Sequence, residues 1–367
     1  MKIAMVSSAR SPQTVELVNH LADRGHQLAL FSMPEHESIH NNIDRRVRVA
    51  YLPHRGMAGY FRNARPLQAM VEEFRPDVVN VHYAGGYGTL ARRSRVRPLV
   101  MSVWGGDVSH CKYGYNLYKK LVRRNLYAAD SVTCTDVALV DTLRNDLLYD
   151  GVAEVTTFGV DCRCYMPQNK STGAGGQMRI GTVSTLEKRE LEVLLRSIAQ
   201  LERKLDHAVD IALFIYGNGN RQEAQELIDR MELNHKVKWK GSVKRSQLPT
   251  VLNRLDVVCA LPTQRQETAA VLAMEAMACG VPVVYVGKNT LGSAVADGKT
   301  GFVLEKCDAC LLAEKLHEMI RDRTLHRKFA LEGRDRILQW YDLEQNVKQL
   351  ELLYGRTVNQ FRMESGQ

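Results

Sequence analysis

Long apolar runs are missing from this sequence, in which no stretch approaches the roughly 18 apolar residues that a membrane-spanning helix needs. The first residues, MKIAMVSSA, hold too short an apolar run for a secretory signal peptide, and we interpret them as a first strand. We therefore expect a cytoplasmic protein with at most a peripheral contact to the inner face of a membrane. At 367 residues, 45% of them hydrophobic, the chain is long enough for two domains with separate cores.

A regular cysteine pattern is also missing. The eight cysteines are scattered, and in a chain without an export signal we interpret them as reduced thiols. Cys307 and Cys310 have the spacing of a metal-binding pair, but no second pair has it. The sequence therefore predicts no disulfide framework, and we expect neither a metal nor a resident cofactor.

The fingerprint Gly-x-Gly-x-x-Gly is absent from the loop where a dinucleotide-binding domain carries it. Residues 2–6 predict a strand, SSARSPQ a loop and Thr14–Arg24 a helix, which is a Rossmann-like opening. Without the fingerprint this loop is a poor dinucleotide site, which disfavours a dehydrogenase.

Acidic residues are scarce in one part of the chain. Residues 45–124 hold 16 lysines and arginines against 4 aspartates and glutamates, a local net charge of +12 in a chain whose net charge is +9. Such a patch attracts anions: nucleic acid, anionic lipid or a phosphate-bearing acceptor. The simpler alternative is a set of solvated helix faces.

A basic helix is predicted inside this patch, at residues 116–128 (NLYKKLVRRNLYA). Its apolar side is predicted to hold Leu117, Leu121, Val122, Leu126 and Tyr127, and its basic side Lys119, Lys120, Arg123 and Arg124. The helix would lie either on an anionic membrane surface or on a sheet with a solvated basic side.

The stretch from 255 to 286 is the most informative in the chain. Its apolar runs LDVVCAL and VPVVYV enclose a helix-period segment that is small or apolar on nearly every side, with Gly280 and Pro282 as stop signals. This is the pattern of a strand, a buried helix and a strand, hence one βαβ unit of a parallel sheet.

Two acids, Glu267 and Glu275, stand in this apolar unit, although burying an ionised carboxylate is costly without partners. One interpretation is that Glu267 caps the helix and Glu275 pairs with a nearby base. The spacing suggests more, because eight residues of helix place the two acids about 12 Å apart, roughly the span of a diphosphate with a sugar at each end. A helix N-terminus between them would offer free N–H groups to phosphate.

Two glutamates separated by seven residues, within LPT...ET...L.MEAMACG.PVV, resemble the signature of retaining nucleotide-sugar glycosyltransferases of family 4, which have the GT-B fold. The resemblance implies that Glu267 contacts donor-sugar hydroxyls and that Glu275 binds the nucleotide ribose. Thr268, Ala269 and Ala270 stand where the family usually has Gly-Phe-Gly, and we assign them to donor binding.

The fold that this resemblance implies is α/β, with two Rossmann-like, doubly wound parallel-sheet domains facing a central cleft. We predict an acceptor-binding domain at 1–167, a Gly-rich linker at 168–177, a donor-binding domain at 178–335 and a final helical segment at 336–367 that crosses back to the first domain. Further helices are predicted at 60–73 and 191–205.

In the first domain, His82 ends the apolar strand VVNVHY, at the edge where open α/β sheets bind ligands. The segment PLVMSVWGGDV resembles the family strand that ends in His-Gly-x-Asp, with Trp104 in place of the histidine and Asp107 retained. Trp104 would stack on a sugar or present its indole N–H. We assign His82, Trp104 and Asp107, together with Glu267, to the catalytic set.

In the second domain, Lys188 and Arg189 precede the predicted helix 191–205, where the family has a diphosphate-binding lysine. The family's arginine is missing, since Ser184 and Thr185 stand near its position. Two cations can neutralise a diphosphate without a metal. Gly217 and Gly219 resemble the family's Gly-x-Gly turn beside the nucleotide base.

The resemblance thus implies a retaining, metal-independent transferase that moves a hexose-type sugar from a nucleotide-diphosphate sugar, UDP-sugar before others, to a hydroxyl of a glycan, glycolipid or lipid-linked acceptor. An anionic membrane surface is a possible partner and nucleic acid is not expected. The alternatives are a nucleotide-sugar 2-epimerase of the same fold and a non-catalytic binder of anions or nucleic acid.

Overall fold

The computed structural model describes residues 1–38, 42–109, 116–157, 159–168, 176–184, 186–206, 209–262, 266–287 and 294–366. The chain divides into two compact units. Met1–Phe158 and Glu344–Gln367 form the first domain, and Gly159–Leu343 form the second domain.

The described strands of the first domain are β1 Lys2–Val6, β2 Gln27–Ser32, β3 Arg48–Tyr51, β4 Val78–His82, β5 Leu99–Val103, β6 Ser131–Cys134 and β7 Ala153–Val155. Its helices before the second domain are α1 Pro12–Asp23, α2 Gly56–Arg62, α3 Ala64–Phe74, α4 Gly86–Ser94, α5 Gly106–Ser109, α6 Asn116–Leu126 and α7 Val137–Asn145. All strands are parallel, in the order β3-β2-β1-β4-β5-β6-β7. The order reverses between β1 and β4, and such a point opens a crevice at the carboxyl edge of the sheet.

Local sequence explains where these elements begin and end. Helix α1 starts at Pro12 because Ser11 caps it, its hydroxyl accepting from the Thr14 N–H. The predicted single helix 60–73 is wrong: α2 and α3 meet at Asn63, whose fully buried amide accepts from the His54 N–H and donates to the His54 carbonyl. These two bonds bind the junction to the chain that precedes α2.

The described strands of the second domain are β8 Met178–Val183, β9 Ile211–Tyr216, β10 Val237–Gly241, β11 Val257–Ala260, β12 Val283–Val286 and β13 Phe302–Leu304. Its helices are α8 Lys188–Leu205, α9 Arg221–Arg230, α10 Leu248–Asn253, α11 Gln266–Ala278, α12 Ala309–Arg321 and α13 Arg323–Trp340. This sheet is also parallel, in the order β10-β9-β8-β11-β12-β13, and its order reverses between β8 and β11. The predicted βαβ unit is confirmed as β11, α11 and β12.

The chain leaves the first domain earlier than the predicted boundary at residue 167. Residues 166–168 are held by Asn253 of α10, which accepts from the Gln168 N–H and donates to the Met166 carbonyl. Arg334 of α13 donates to the Tyr165 carbonyl. These bonds assign residues 159–168 to the second domain.

The last helix, α14 (Leu343–Ser365), returns the chain to the first domain. Val347, Leu353 and Tyr354 of α14 are buried. A C-terminal clasp of charged groups adds to this contact: Arg24 donates to both carboxylate oxygens of Glu351 at 2.7 Å and pairs with Glu344 at 2.5 Å. The Arg24 guanidinium holds the pKa of Glu351 below its ordinary value.

Candidate active site

The carboxyl edge of the second sheet gathers most of the predicted donor-binding residues. The strand order reverses between β8 and β11, and the helices that follow these two strands, α8 and α11, both begin at this edge. Helix N-termini carry free N–H groups and the positive end of the helix dipole. The reversal point of this sheet is therefore suited to an anionic ligand.

Lys188 and Arg189 are the first two residues of α8, and not loop residues before a helix at 191 as predicted. Glu187 occupies the cap position without a side-chain hydrogen bond to the helix. Cations disfavour the positive end of a helix dipole, so this placement needs compensation. Part of it comes from Glu223 of α9, which pairs with the Lys188 ammonium at 2.8 Å and raises the pKa of Lys188.

Two hydroxyl groups at the end of β8 have no hydrogen-bond partner in the part of the chain that the structure describes. They are Thr182 Oγ1, in a completely buried residue, and Ser184 Oγ, just beyond the strand. Buried hydroxyls are rarely left unpaired in native proteins. They precede α8 in the chain, near the position at which the sequence lacks the family's arginine.

The turn after β9 depends on Gly219, which has no side chain to keep a neighbouring ring away. A Cβ at Gly219 would approach the Trp239 indole to 3.2 Å, so Trp239 of β10 packs directly against the Gly219 backbone. The Gly217 N–H donates to the Gly241 carbonyl at 2.8 Å, which joins the ends of β9 and β10. The predicted Gly-x-Gly turn is therefore a tight connection with an aromatic ring at its side.

Helix α11 carries both predicted acids on a buried element. Ala269 and Ala270 are buried at its start, while the side chains of Glu267 and Thr268 lie outside the described residues. Glu275 is 2% exposed and pairs with Arg245 at 2.5 Å. This pair is the base contact that the simpler interpretation of Glu275 anticipated.

Arg245 opens a 3₁₀ turn, Arg245–Gln247, after β10 and is 40% exposed. Its guanidinium lies 5.5 Å from the centroid of the Tyr165 ring. The sequence analysis missed Arg245, Tyr165 and Trp239, because nothing local marks residues whose partners are far along the chain.

In the first domain the structure brings His82 and Trp104 together. Their ring centroids are 4.0 Å apart, His82 is completely buried and Trp104 is 5% exposed. Desolvation lowers the pKa of His82 to about 3, so the imidazole is neutral at physiological pH. In this position His82 supports the Trp104 ring from inside the domain.

A buried polar network fixes the His82 ring. His82 Nε2 lies 3.1 Å from Asn80 Oδ1, which also accepts a hydrogen bond from the Tyr354 hydroxyl of α14 at 3.0 Å. His82 Nδ1 lies 3.5 Å from Thr14 Oγ1. The sequence analysis missed Asn80 and Tyr354. Asn80 could have been found, because residues two apart on a strand point to the same side of the sheet, so Asn80 lies beside His82.

The residues beside Trp104 are only partly described. Tyr83 packs edge-on to Trp104 at 5.2 Å with φ of 71°, a left-handed conformation that is costly for an aromatic residue. Asp107 lies in the short helix α5, and its side chain is outside the described residues.

Helix α6 does not have the apolar side predicted for it. Val122 and Leu126 are buried, but Leu117 is 84% and Tyr127 53% exposed. The buried side of α6 is formed by Val122, Asn125 and Leu126. At about 3.6 residues per turn, Leu117 and Tyr127 point away from this side. Lys120 and Arg124 are exposed, and Lys119 and Arg123 are half-buried.

The described residues hold neither a metal-binding cluster nor a membrane-spanning helix. No group of three or more His, Cys, Asp or Glu side chains is arranged to hold a metal ion within those ranges. Among the same residues, no helix combines the length and apolar character needed to cross a lipid bilayer.

Comparison with known proteins agrees with this organisation. Residues 168–336 match the family model described as glycosyl transferases group 1, and residues 2–136 match the one described as glycosyl transferase 4-like. N-acetyl-alpha-D-glucosaminyl L-malate synthase of Bacillus anthracis is 22% identical over 290 residues, which cover 76% of this chain and 74% of that protein. GDP-mannose-dependent alpha-(1-6)-phosphatidylinositol monomannoside mannosyltransferase of Mycolicibacterium smegmatis is 26% identical over 288 residues, 73% of each chain.

Among solved structures, sucrose-phosphate synthase from Thermosynechococcus elongatus superposes with a TM-score of 0.78 at 18% identity, covering 97% of this chain and 98% of its own. At this identity the likeness speaks for the fold alone. The predicted α/β fold with two Rossmann-like domains, that of the GT-B enzymes, is confirmed.

Proposed function

Since the chain belongs to the group 1, family 4-like glycosyltransferases, we propose that it moves a hexose-type sugar from a nucleotide-diphosphate sugar to an acceptor hydroxyl with retention of the anomeric configuration. The acceptor we propose is a glycan, glycolipid or lipid-linked sugar used in cell-envelope or related glycoside synthesis. We favour a UDP-sugar as donor, and a GDP-sugar is the alternative, because one relative is GDP-mannose-dependent by name.

One observation carries the donor part of this proposal. The reversal point of the second sheet combines the cations of Lys188 and Arg189 with a start of α8 that has no side-chain cap. The same strand end carries the hydroxyls of Thr182 and Ser184, which are unpaired among the described residues. All of these groups favour a ligand rich in anionic oxygens. A diphosphate has that chemistry.

The remaining donor contacts follow from the same edge. Glu275, held by Arg245, accepts hydrogen bonds from ribose hydroxyls, and Glu267 at the start of α11 positions the sugar. Gly217, Ala269 and Ala270 have small side chains or none, which lets the donor approach the backbone, and the Trp239 ring that packs on Gly219 lies beside the same turn. When the anomeric bond breaks, charge develops on the leaving diphosphate, and Lys188, Arg189 and the first N–H groups of α8 stabilise it.

For the first domain we propose a sugar-contacting role for Trp104 and Asp107. His82 positions Trp104 from beneath and remains neutral, so it does not exchange a proton during the reaction. Trp104 contributes a flat apolar surface, and its own position depends on the network of His82, Asn80 and Thr14.

We also propose that the basic face of the first domain meets an anionic membrane surface where lipid-linked acceptors lie. The exposed Lys120, Arg124 and Leu117 of α6 support this, because they combine positive charge with an apolar side chain in water.

The test is incubation of the protein with UDP-, GDP- and TDP-sugars, with and without a panel of alkyl glycosides, followed by proton NMR. We expect an acceptor-dependent product whose new glycosidic bond keeps the donor's anomeric configuration. Inversion would contradict the retaining mechanism. Conversion of a nucleotide sugar into its 2-epimer without acceptor would replace transfer by epimerisation.

A further inference from the structure

Glu35 has an unpaired carboxylate oxygen inside the first domain. It lies in the 3₁₀ turn Pro34–His36 that follows β2, and its Oε1 accepts from the Gly56 N–H at the start of α2 at 2.9 Å. Its Oε2 is buried and has no hydrogen-bond partner among the described residues. An unpaired buried carboxylate oxygen is unfavourable and calls for a partner.

Two tyrosines lie near this carboxylate. Tyr60 is one turn after Gly56 in α2, and the Tyr87 hydroxyl contacts His36, the residue that follows Glu35. Tyr60 and Tyr87 meet edge-to-face with ring centroids 5.4 Å apart. Burial and the charge of Glu35 raise the pKa of Tyr60 to about 12, and burial is also the main cause of the raised pKa of Tyr87. Both phenols therefore remain neutral hydrogen-bond donors at physiological pH.

The two phenols differ in how they are used. The Tyr87 hydroxyl is committed within the domain, since it lies 2.8 Å from His36 Nδ1 and accepts from the Met33 N–H at 3.1 Å. The Tyr60 hydroxyl has no hydrogen bond within the described ranges, although its ring is half-buried. Tyr60 is therefore the phenol of the two whose hydroxyl is available to a ligand.

The site is at the carboxyl edge of the first sheet. Gly86 begins α4 just after β4, and a Cβ there would come within 2.8 Å of the Tyr60 ring, so the ring rests on bare backbone. Gly85 caps α4 without a side-chain hydrogen bond. Glu35 follows β2 and Gly86 follows β4, on either side of β1, where the strand order reverses.

The chemistry of this site selects one class of ligand. A carboxylate oxygen accepts hydrogen bonds from hydroxyl groups and repels anions, a phenol ring packs on the C–H face of a pyranose or cyclitol, and a free phenol hydroxyl adds a hydrogen bond. We propose that Glu35 and Tyr60 bind the hydroxyls of an uncharged sugar or polyol, and that this ring is the part of the acceptor that the enzyme recognises. This inference rests on the proposed function, because it names the acceptor class of the same reaction.

The test compares Glu35→Gln and Tyr60→Phe with Glu37→Gln, a matched change at an exposed glutamate two positions further on. The acceptor probes are octyl β-D-glucoside, octyl α-D-mannoside and myo-inositol as neutral rings, with L-malate and myo-inositol 1-phosphate as anionic ones. Initial rates yield KM for each acceptor and for the nucleotide sugar, and thermal shift reports probe binding independently of turnover.

We expect transfer to a neutral probe, with an acceptor KM that rises about ten- to a hundredfold in Glu35→Gln because a charge-assisted hydrogen bond is lost. The nucleotide-sugar KM should stay unchanged, and Glu37→Gln should match the wild type.

An unchanged acceptor KM in Glu35→Gln, or use of the anionic probes alone, overturns the inference. If the nucleotide sugar raises the melting temperature while no neutral probe binds, the acceptor class is wrong but the proposed function stands. If no nucleotide sugar binds, the proposed function itself fails, and the inference that rests on it fails too.

Discussion

At the scale of single residues, His82 shows what position in the sequence can and cannot predict. Its place at the end of an apolar strand correctly put it at the carboxyl edge of the sheet. Its complete burial depends on Trp104, 22 positions further along the chain, and on Tyr354 in the last helix. Packing between such distant residues leaves no local pattern, so a prediction from the strand end alone favours a solvent-facing histidine.

The burial of His82 predicts how stability depends on pH. Its folded-state pKa of about 3 lies below the ordinary value of 6.5, so the folded state excludes a proton that the unfolded chain binds. The free energy of unfolding is therefore unaffected by His82 titration above pH 6.5. It decreases as the pH falls from 6.5 toward 3, by up to about 1.4 kcal/mol for each pH unit.

His82→Gln should therefore show a shallower loss of unfolding free energy than the wild type between pH 6.5 and 4, as measured by urea denaturation followed by circular dichroism. His54→Gln, at an exposed histidine, is the control and should keep the wild-type slope. Parallel slopes for His82→Gln and the wild type would show that His82 titrates normally.

At the scale of elements, the strands and the helices α1, α8 and α11 were predictable, while the break between α2 and α3 and the buried side of α6 were not. β11, α11 and β12 can be predicted from their apolar runs and from Gly280. A fully buried element is apolar on all sides, so no choice between a buried and an exposed side is needed. α6 is short and partly exposed, so two of its five predicted apolar positions, Leu117 and Tyr127, face solvent. The Asn63 junction between α2 and α3 depends on hydrogen bonds to His54, which helix periodicity does not reveal.

The exposed basic side of α6 predicts attachment to anionic vesicles. Lys120→Glu combined with Arg124→Glu should strongly reduce sedimentation with phosphatidylglycerol vesicles, since each basic residue near such a surface contributes about 1 kcal/mol. Arg221→Glu with Arg230→Glu, on exposed positions of α9 in the second domain, is the matched control and should bind like the wild type. Equal loss in both double variants would indicate a non-specific charge effect, and no loss in either would assign α6 to a solvated face.

At the scale of the whole molecule, the two-domain division was predictable because each half repeats strand and helix patterns of its own. The domain boundary was not, because residues 159–168 are attached by Asn253 and Arg334, which come much later in the chain. The same limit applies to the candidate site. The glutamate spacing pointed to Glu275, while its partner Arg245 lies in a 3₁₀ turn that no motif marks.

We propose above all that the second domain binds a nucleotide sugar at the edge where Glu275 lies. Isothermal titration of a nucleotide sugar into the wild type, Glu275→Gln and Glu351→Gln tests it most directly. Glu351 is the matched control, an arginine-paired glutamate in the clasp of the first domain. Loss of charge-assisted hydrogen bonds should weaken binding to Glu275→Gln by roughly 1–3 kcal/mol, about 5- to 150-fold in Kd, while Glu351→Gln binds like the wild type. Equal affinity of Glu275→Gln and the wild type, with both proteins folded, would contradict the account.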